Sequence, residues 1–279
     1  VQAAGGTAQV VSQGLAAVKE LLPQVNQSQR ETIPASEIVL ALECGGSDGF
    51  SGLSANPALG HTADQIVRCG GTVILSEVPE FCGAEHVLAH RSKDAEIARE
   101  VYDLVDWYKQ YAATVGTLLD DNPSPGNIEG GLLNITIKSL GAIAKGGTTR
   151  IEGTTGYSEP PGGRGLQLMQ GPGYDQESVP GMVAGGANMV VFTTGRGTTI
   201  GNAICPVLKL ASNTPVFERM PGDIDLNAGS IIDGTESITE VGQRVFDKVL
   251  EVAGGKSLAH AEVHKHREFQ IWAEQSVSL

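Results

Sequence analysis

Short unbroken apolar runs alternate along this chain with longer stretches whose apolar residues recur every three or four positions. The runs are Ile38 to Leu42, Thr72 to Ser76, Gly165 to Met169, Asn188 to Thr194 and Val207 to Leu210. Each has the length and β-rich character of a strand buried on both faces. Helical spacing places Val11, Leu15, Val18 and Leu22 on one stripe of residues 7–22. It does the same for Ile97, Val101, Leu104, Tyr108 and Tyr111 in 93–113, and for Ile238, Val241, Val245 and Val252 in 237–253. Shorter helices are expected over 59–69 and 130–144. A string of turn formers, residues 120–127, separates the 93–113 helix from the next. Strands alternating with helices predict an α/β fold: a doubly wound, mostly parallel, Rossmann-like sheet with helices on both faces. One domain across 1–279 is expected, with 148–163, rich in Gly, Thr and Pro, as a flap or excursion.

Composition narrows the partners. A formal charge of −13 argues against nucleic acid, whose phosphates call for Lys and Arg patches, but leaves room for a small anionic substrate met by a few local cations. No apolar stretch has the length of a membrane span, and no signal peptide opens the sequence. The cysteines (Cys44, Cys69, Cys82, Cys205) are scattered without a Cys-x-x-Cys pair, which points to free thiols in a reducing, cytoplasmic setting. The first residue is Val1, so the chain reads as a portion of a longer protein.

The chemistry gathers where strands end. The first run delivers Cys44, Ser47, Asp48 and Asn56 into a glycine-rich loop spanning 43–60. The second ends at Ser76-Glu77, with Glu80 just beyond, and the fourth at Thr193-Thr194-Gly195-Arg196-Gly197. In a parallel sheet these ends lie along one edge, where open α/β folds bind ligands. Cys44, Glu77 and His86 brought together would suit a divalent transition metal such as Fe(II) or Zn(II). Taken singly, Cys44 equally suits a small buried hydrophobe, and His86 a helix face. Arg196, between two glycines, is placed for forked contacts to a carboxylate. Lys145 is either a helix C-terminal cation or a catalytic amine. Asp223, Asp225 and Asn227 alternate as one face of a strand, either solvated or facing a polyhydroxyl ligand. His260, His264 and His266 read as a solvated helix face, and Cys69, Cys82 and Cys205 as plain thiols. Neither Gly-x-Gly-x-x-Gly after the first strand nor a P-loop is present, which argues against a nucleotide-dependent oxidoreductase.

Seven motifs, in order, go further. They are Glu43-Cys-Gly-Gly-Ser-Asp48, Ser54-Ala-Asn-Pro-Ala-Leu-Gly60, Asn122-Pro-Ser-Pro-Gly-Asn127, Gly130-Gly-Leu132, Ser139-Leu-Gly-Ala-Ile-Ala-Lys-Gly-Gly147, Phe192-Thr-Thr-Gly-Arg-Gly197 and Asp225-Leu-Asn-Ala-Gly229. From about Ser36 onward the chain resembles the altronate/galactarate dehydratase family, as the C-terminal portion of its longer members. The resemblance implies β-elimination of water from a sugar acid to give a 2-keto-3-deoxy acid. It also implies a divalent metal, usually Fe(II), with Mn(II) the alternative. A close branch releases sulfite from sulfolactate and is built from a large and a small subunit. A non-catalytic sugar-acid-binding subunit that needs a partner chain is the rival reading. Under the family reading Cys44, Glu77 or His86 would hold the metal, and Lys145 or His86 would take the α-proton. Arg196 and Lys209 would balance substrate charge, while Ser47, Asp48, Asn56, Thr193, Thr194, Asp225 and Asn227 would hold its polar groups. Expected partners are the hydroxy-acid substrate, the N-terminal domain or small subunit absent from this chain, and further copies of the chain.

Overall fold

Alternate residues of the buried runs feed two separate cores, and this makes the sheet two-sided. Leu40, Leu42, Val73, Leu75, Val191 and Leu208 join one core, whereas Ala41, Ile74, Val190, Phe192 and Val207 join the other. In the computed structural model, which describes residues 1–273, the strands are β1 (Val39–Cys44), β2 (Thr72–Leu75), β3 (Ile151–Thr155), β4 (Gly165–Met169), β5 (Met189–Thr194), β6 (Val207–Ala211) and β7 (Leu226–Asn227). They form one sheet in the order β3-β4-β2-β1-β5-β6-β7, every pair parallel. The doubly wound α/β architecture is therefore present. Helices Ala55–Arg68, Ala95–Thr114 and Ile238–Ala253 contribute to the first core, and helix Asp175–Ala184 to the second.

The chain goes from β1 to β2, on to β3 at the edge and back to β4 between β3 and β2, then lays β5 on the other side of β1. This reversal between β1 and β5 is the topological switch point, and the crevice at the carboxyl ends there is where such sheets take ligands.

Local sequence explains the element ends. Asp94 caps helix Ala95–Thr114 by accepting from the backbone N–H groups of Glu96 and Ile97. Ser237 and Glu240 form a capping box on helix Ile238–Ala253. Three expectations were revised. Residues 151–155, inside the stretch expected to be an excursion, form the edge strand β3. The helix expected over 130–144 is confined to Ile135–Ala142 and runs into a 3-10 turn at Ile143–Gly146. The strand expected around 223–229 is only Leu226–Asn227, so Asp223 lies outside it.

Two compact units divide the chain, Val1–Pro34 and the residues from Ala35 on. The first is helix Thr7–Val25, none of whose residues is buried, with Val11, Leu15, Val18 and Leu22 exposed. None of the described helices is long and apolar enough to cross a membrane.

Candidate functional site

Because β2, β1 and β5 are neighbours and parallel, their carboxyl ends open into one cavity of roughly 340 Å³. Cys44 follows from β1, Glu80 from the turn after β2, and Arg196 from the loop after β5, and all three line it. The sequence expectation that these three ends converge is met. Asn122, Asn127, Lys138 and Asp175 complete its polar wall.

Beneath the cavity lies a buried ionic cluster. The Lys145 ammonium, 1% exposed, donates to Cys44 Sγ at 2.7 Å and to Glu77 Oε2. Cys44 in turn donates its S–H to Glu80 Oε2 at 3.0 Å and its backbone N–H to Glu77 Oε2 at 3.1 Å. Lys138 Nζ stands 2.8 Å from Glu80 Oε1 and donates to Asn122 Oδ1 at 2.9 Å, tying the 122–127 loop to the cluster. Glu43, the neighbour of Cys44 on β1, accepts from Ser178 Oγ at 2.7 Å through Oε2, while its fully buried Oε1 has no partner. Glu77 holds this place in the left-handed region, at φ 65°, a costly backbone state for a non-glycine residue and one that gathers at functional sites.

Two glycines allow the close approaches. A Cβ on Gly45 would fall 2.2 Å from an Asp175 carboxylate oxygen, and one on Gly126 would fall 1.6 Å from Arg196 Nη1. With glycine at both positions, Asp175 and Arg196 can lie directly over the backbone; a Cβ at either would push that side chain away.

Electrostatics follow from this crowding. Burial pushes the Glu77 carboxyl up to about 8, against the pull of Lys145, and desolvation pushes Asp175 up to about 7. Glu43 and the Cys44 thiol are also held well above their ordinary ranges, mainly by burial and then by the charge of Glu77. Burial works against the charge on Lys145, but Cys44, Glu77, Glu80 and Glu43 outweigh it and hold the amine protonated. For Glu80 burial is outweighed by Lys138 and Lys145, and its carboxyl stays ionised.

Other predicted residues go elsewhere. His86 is exposed on helix Glu85–His90, whose buried residue is Leu88, and it joins no donor cluster among the described residues. Asp48 accepts from Ser51, Ser212 and Asn213, which knits the loops together. Ser47, Asp48 and Asn56 line a neighbouring cavity of roughly 290 Å³, with Lys138 as the wall common to both. Thr193 donates to Asn56 Oδ1 at 2.6 Å, and Thr194 Oγ1 accepts from Gly197 N–H. Lys209 is buried on β6 and donates to the Ile200 carbonyl; Asp225 accepts from the backbone of Lys209 and His260, and Asn227 bonds Gly229 and Thr214. None of Thr193, Thr194, Lys209, Asp225 and Asn227 lines the cavity at the switch point. Sequence reasoning missed Lys138, Asp175 and Glu43 as site residues. Lys138 had one signal, the lone charge on the predicted 130–144 helix.

The free thiols differ in kind. Burial pushes Cys205 up to about 12, and Cys44 is buried as well, whereas Cys69 is exposed. Alkylation of the native protein followed by peptide mass mapping is expected to label Cys69 first. Cys44 and Cys205 should react only after denaturation, because the thiolate is the nucleophile. Native-state labelling of Cys205 at the rate of Cys69 would contradict this burial.

The donor set fits a divalent cation. Cys44, Glu77 and Glu80 offer one ligand atom each within 4.8 Å of one another, as do Glu43, Glu77 and Asp175. Four carboxyl groups and a thiol face two ammonium groups, so ionising all four carboxyls calls for further positive charge, and a buried Glu43 carboxyl oxygen without a hydrogen-bond partner stands within the cluster.

Comparison with known proteins matches residues 35–277 to the family described as D-galactarate/altronate dehydratase, C-terminal. The chain is 44% identical over 235 residues to a galactarate dehydratase (L-threo-forming) of Escherichia coli K12, covering 84% of this chain and 45% of that protein. It is 38% identical over 259 residues to an altronate dehydratase of Bacillus subtilis 168, covering 93% and 52%. It is 33% identical over 256 residues to the β subunit of a (2R)-sulfolactate sulfo-lyase of Chromohalobacter salexigens, covering 91% and 66%. The chain spans about half the length of the curated dehydratases it matches.

Proposed function

Since the chain belongs to the D-galactarate/altronate dehydratase family, we propose that it is the catalytic portion of a lyase. It eliminates water from a sugar acid and leaves a 2-keto-3-deoxy acid. The observation that carries the reading is the cavity at the ends of β2, β1 and β5, with a guanidinium at its rim and a buried cluster of carboxyl donors at its floor.

Arg196 is 48% exposed, and among the described residues its ion pair is a long 3.6 Å approach to Glu129, which leaves its fork available to the substrate carboxylate. Asn122 and Asn127, fixed by Lys138, supply hydrogen bonds for hydroxyl groups. Of the two proton acceptors expected from the sequence, Lys145 is the one in contact with the floor. Its Nζ stands between Cys44 Sγ and Glu77 Oε2 and is held protonated at rest, so it takes the α-proton only from the form in which Glu77 is ionised and first receives the ammonium's own proton. The carboxylates around Glu77 would hold a divalent cation, Fe(II) or, as the alternative, Mn(II). When bound, it would supply Lewis-acid polarisation of the substrate carboxylate and hydroxyl.

A second reading is favoured by coverage. The chain spans a larger share of the sulfo-lyase subunit, 66%, than of the dehydratases, and that relative is named as a subunit. The elimination would then release sulfite from sulfolactate, and a partner chain would complete the site.

The deciding assay offers the full-length protein, under anaerobic Fe(II), a panel of aldaric acids, aldonic acids and sulfolactate. The expected result is 2-keto-3-deoxy acid from at least one sugar acid. Sulfite from sulfolactate alone would select the second reading, and no product from any of them would overturn both.

A further inference from the structure

Two sets of donors meet at Glu77, and they are not equivalent. In the first, Cys44, Glu77 and Glu80, the ligand positions are taken. Lys145 Nζ lies 2.7 Å from Cys44 Sγ and is bonded to Glu77 Oε2; Glu80 Oε2 accepts from Cys44, and Glu80 Oε1 faces Lys138 Nζ at 2.8 Å. An ammonium ion already does there what a metal would do. The second set is Glu43, Glu77 and Asp175, each with a carboxylate oxygen within 4.8 Å of the others. Here Glu43 Oε1 is fully buried and unpartnered, and Lys145 is hydrogen-bonded to neither Glu43 nor Asp175. Among the described residues, Cys44 Sγ approaches Glu77 Oε1 at 3.8 Å, and the Glu43 and Glu77 carboxyls lie close enough to share a proton or a cation. A buried anion without a partner is costly unless a cation or proton meets it.

We propose that the divalent cation is held by Glu43, Glu77 and Asp175, an oxygen-only set, and that Cys44 is not a ligand. The thiol instead belongs to the Lys145 side of Glu77, as a hydrogen-bonded spacer between the ammonium and Glu80. This separates the two roles that the sequence assigned to one spot: Glu77 Oε2 serves the amine, and its other oxygen serves the cation. Oxygen-only donors suit hard and borderline divalent ions such as Mg(II), Mn(II) and Fe(II), whereas a thiolate would draw the site toward Zn(II). The proposal deepens the lyase reading and rests on it for the cation's purpose. Its test contains no substrate, so binding and turnover fail separately.

The test titrates Mn(II) into the protein by electron paramagnetic resonance and calorimetry, then loads Co(II) and records its absorption. Wild type is expected to bind one Mn(II) per chain. Glu43→Gln and Asp175→Asn should each weaken it by about tenfold or more, while Cys44→Ser stays within about twofold. The Co(II) form should lack a thiolate-to-cobalt charge-transfer band. Circular dichroism identifies a variant that fails to fold; should Glu43→Gln fail, Asp175→Asn, half-buried at a helix start, decides the point. The proposal is overturned if wild type binds no Mn(II), if Cys44→Ser weakens binding as much as the folded carboxylate variant, or if a charge-transfer band appears and vanishes in Cys44→Ser.

Discussion

Replacing Lys145 by methionine is expected to lower turnover by about 10²–10⁴-fold, the range for loss of a proton-transferring group, and to destabilise the fold by about 3–5 kcal/mol. Methionine fills the space but leaves Glu77 and Cys44 buried without the cation that now meets them. Stability against pH separates this from a simple packing defect. The Glu77 carboxyl, raised by burial to about 8, binds its proton more tightly in the folded state than in the unfolded chain. Its ionisation therefore costs stability as pH rises from its unfolded value, and in wild type that cost stops growing near pH 8. Without Lys145 the carboxyl moves higher still, so the variant goes on losing stability above pH 8 where wild type does not. Urea unfolding of cation-free protein at pH 6 and pH 9 should show the gap between the two widening. A constant gap would leave Lys145 as space-filling only.

Glu77→Gln should have the second large effect. It removes the one carboxylate common to both donor sets, and kcat should fall by about 10²–10³-fold, as it does when a preorganised charge partner is lost. Glu77→Gly gives the informative contrast. Glu77 sits at φ 65°, where a side chain costs roughly 1–2 kcal/mol that glycine does not. The glycine variant should thus regain backbone stability while losing at least as much turnover as the glutamine variant. Both variants strand the Lys145 ammonium, so a melting temperature above that of Glu77→Gln, beside a collapse in kcat, would mark strain kept for function. A glycine variant that retains near-normal kcat would remove Glu77 from the site.

How far the site was legible depended on how local its causes were. Cys44, Glu77, Arg196 and Lys145 each follow an apolar run or close a helical segment, and such punctuation survives into the fold. His86 failed because nothing in its own segment says which face of a short helix turns inward; Leu88 took that face. The alternation at Asp223, Asp225 and Asn227 looked like one strand face, yet the strand is two residues long; Asp225 and Asn227 bind backbone on the β6–β7 side of the sheet, and Asp223 pairs with His266. Lys209 read as a substrate cation and is instead buried against the Ile200 carbonyl. Asp175 was invisible, since no pattern at 175 announces that its carboxylate lies over Gly45, a residue 130 positions away.

By itself, the order of apolar runs and amphipathic stretches determined a parallel, two-sided sheet, because strand length and helical period are set by neighbours in the chain. It also determined which residues stand at strand ends. Strand order was a matter for the tertiary structure: only packing of helices on both faces could set β5 beside β1 and so bring Arg196 over Cys44. Packing likewise decided the charges. Glu43, Glu77, Glu80, Asp175, Lys138 and Lys145 are ordinary ionisable residues in sequence, and their unequal affinities for protons and cations arise only where burial removes water and forces them together.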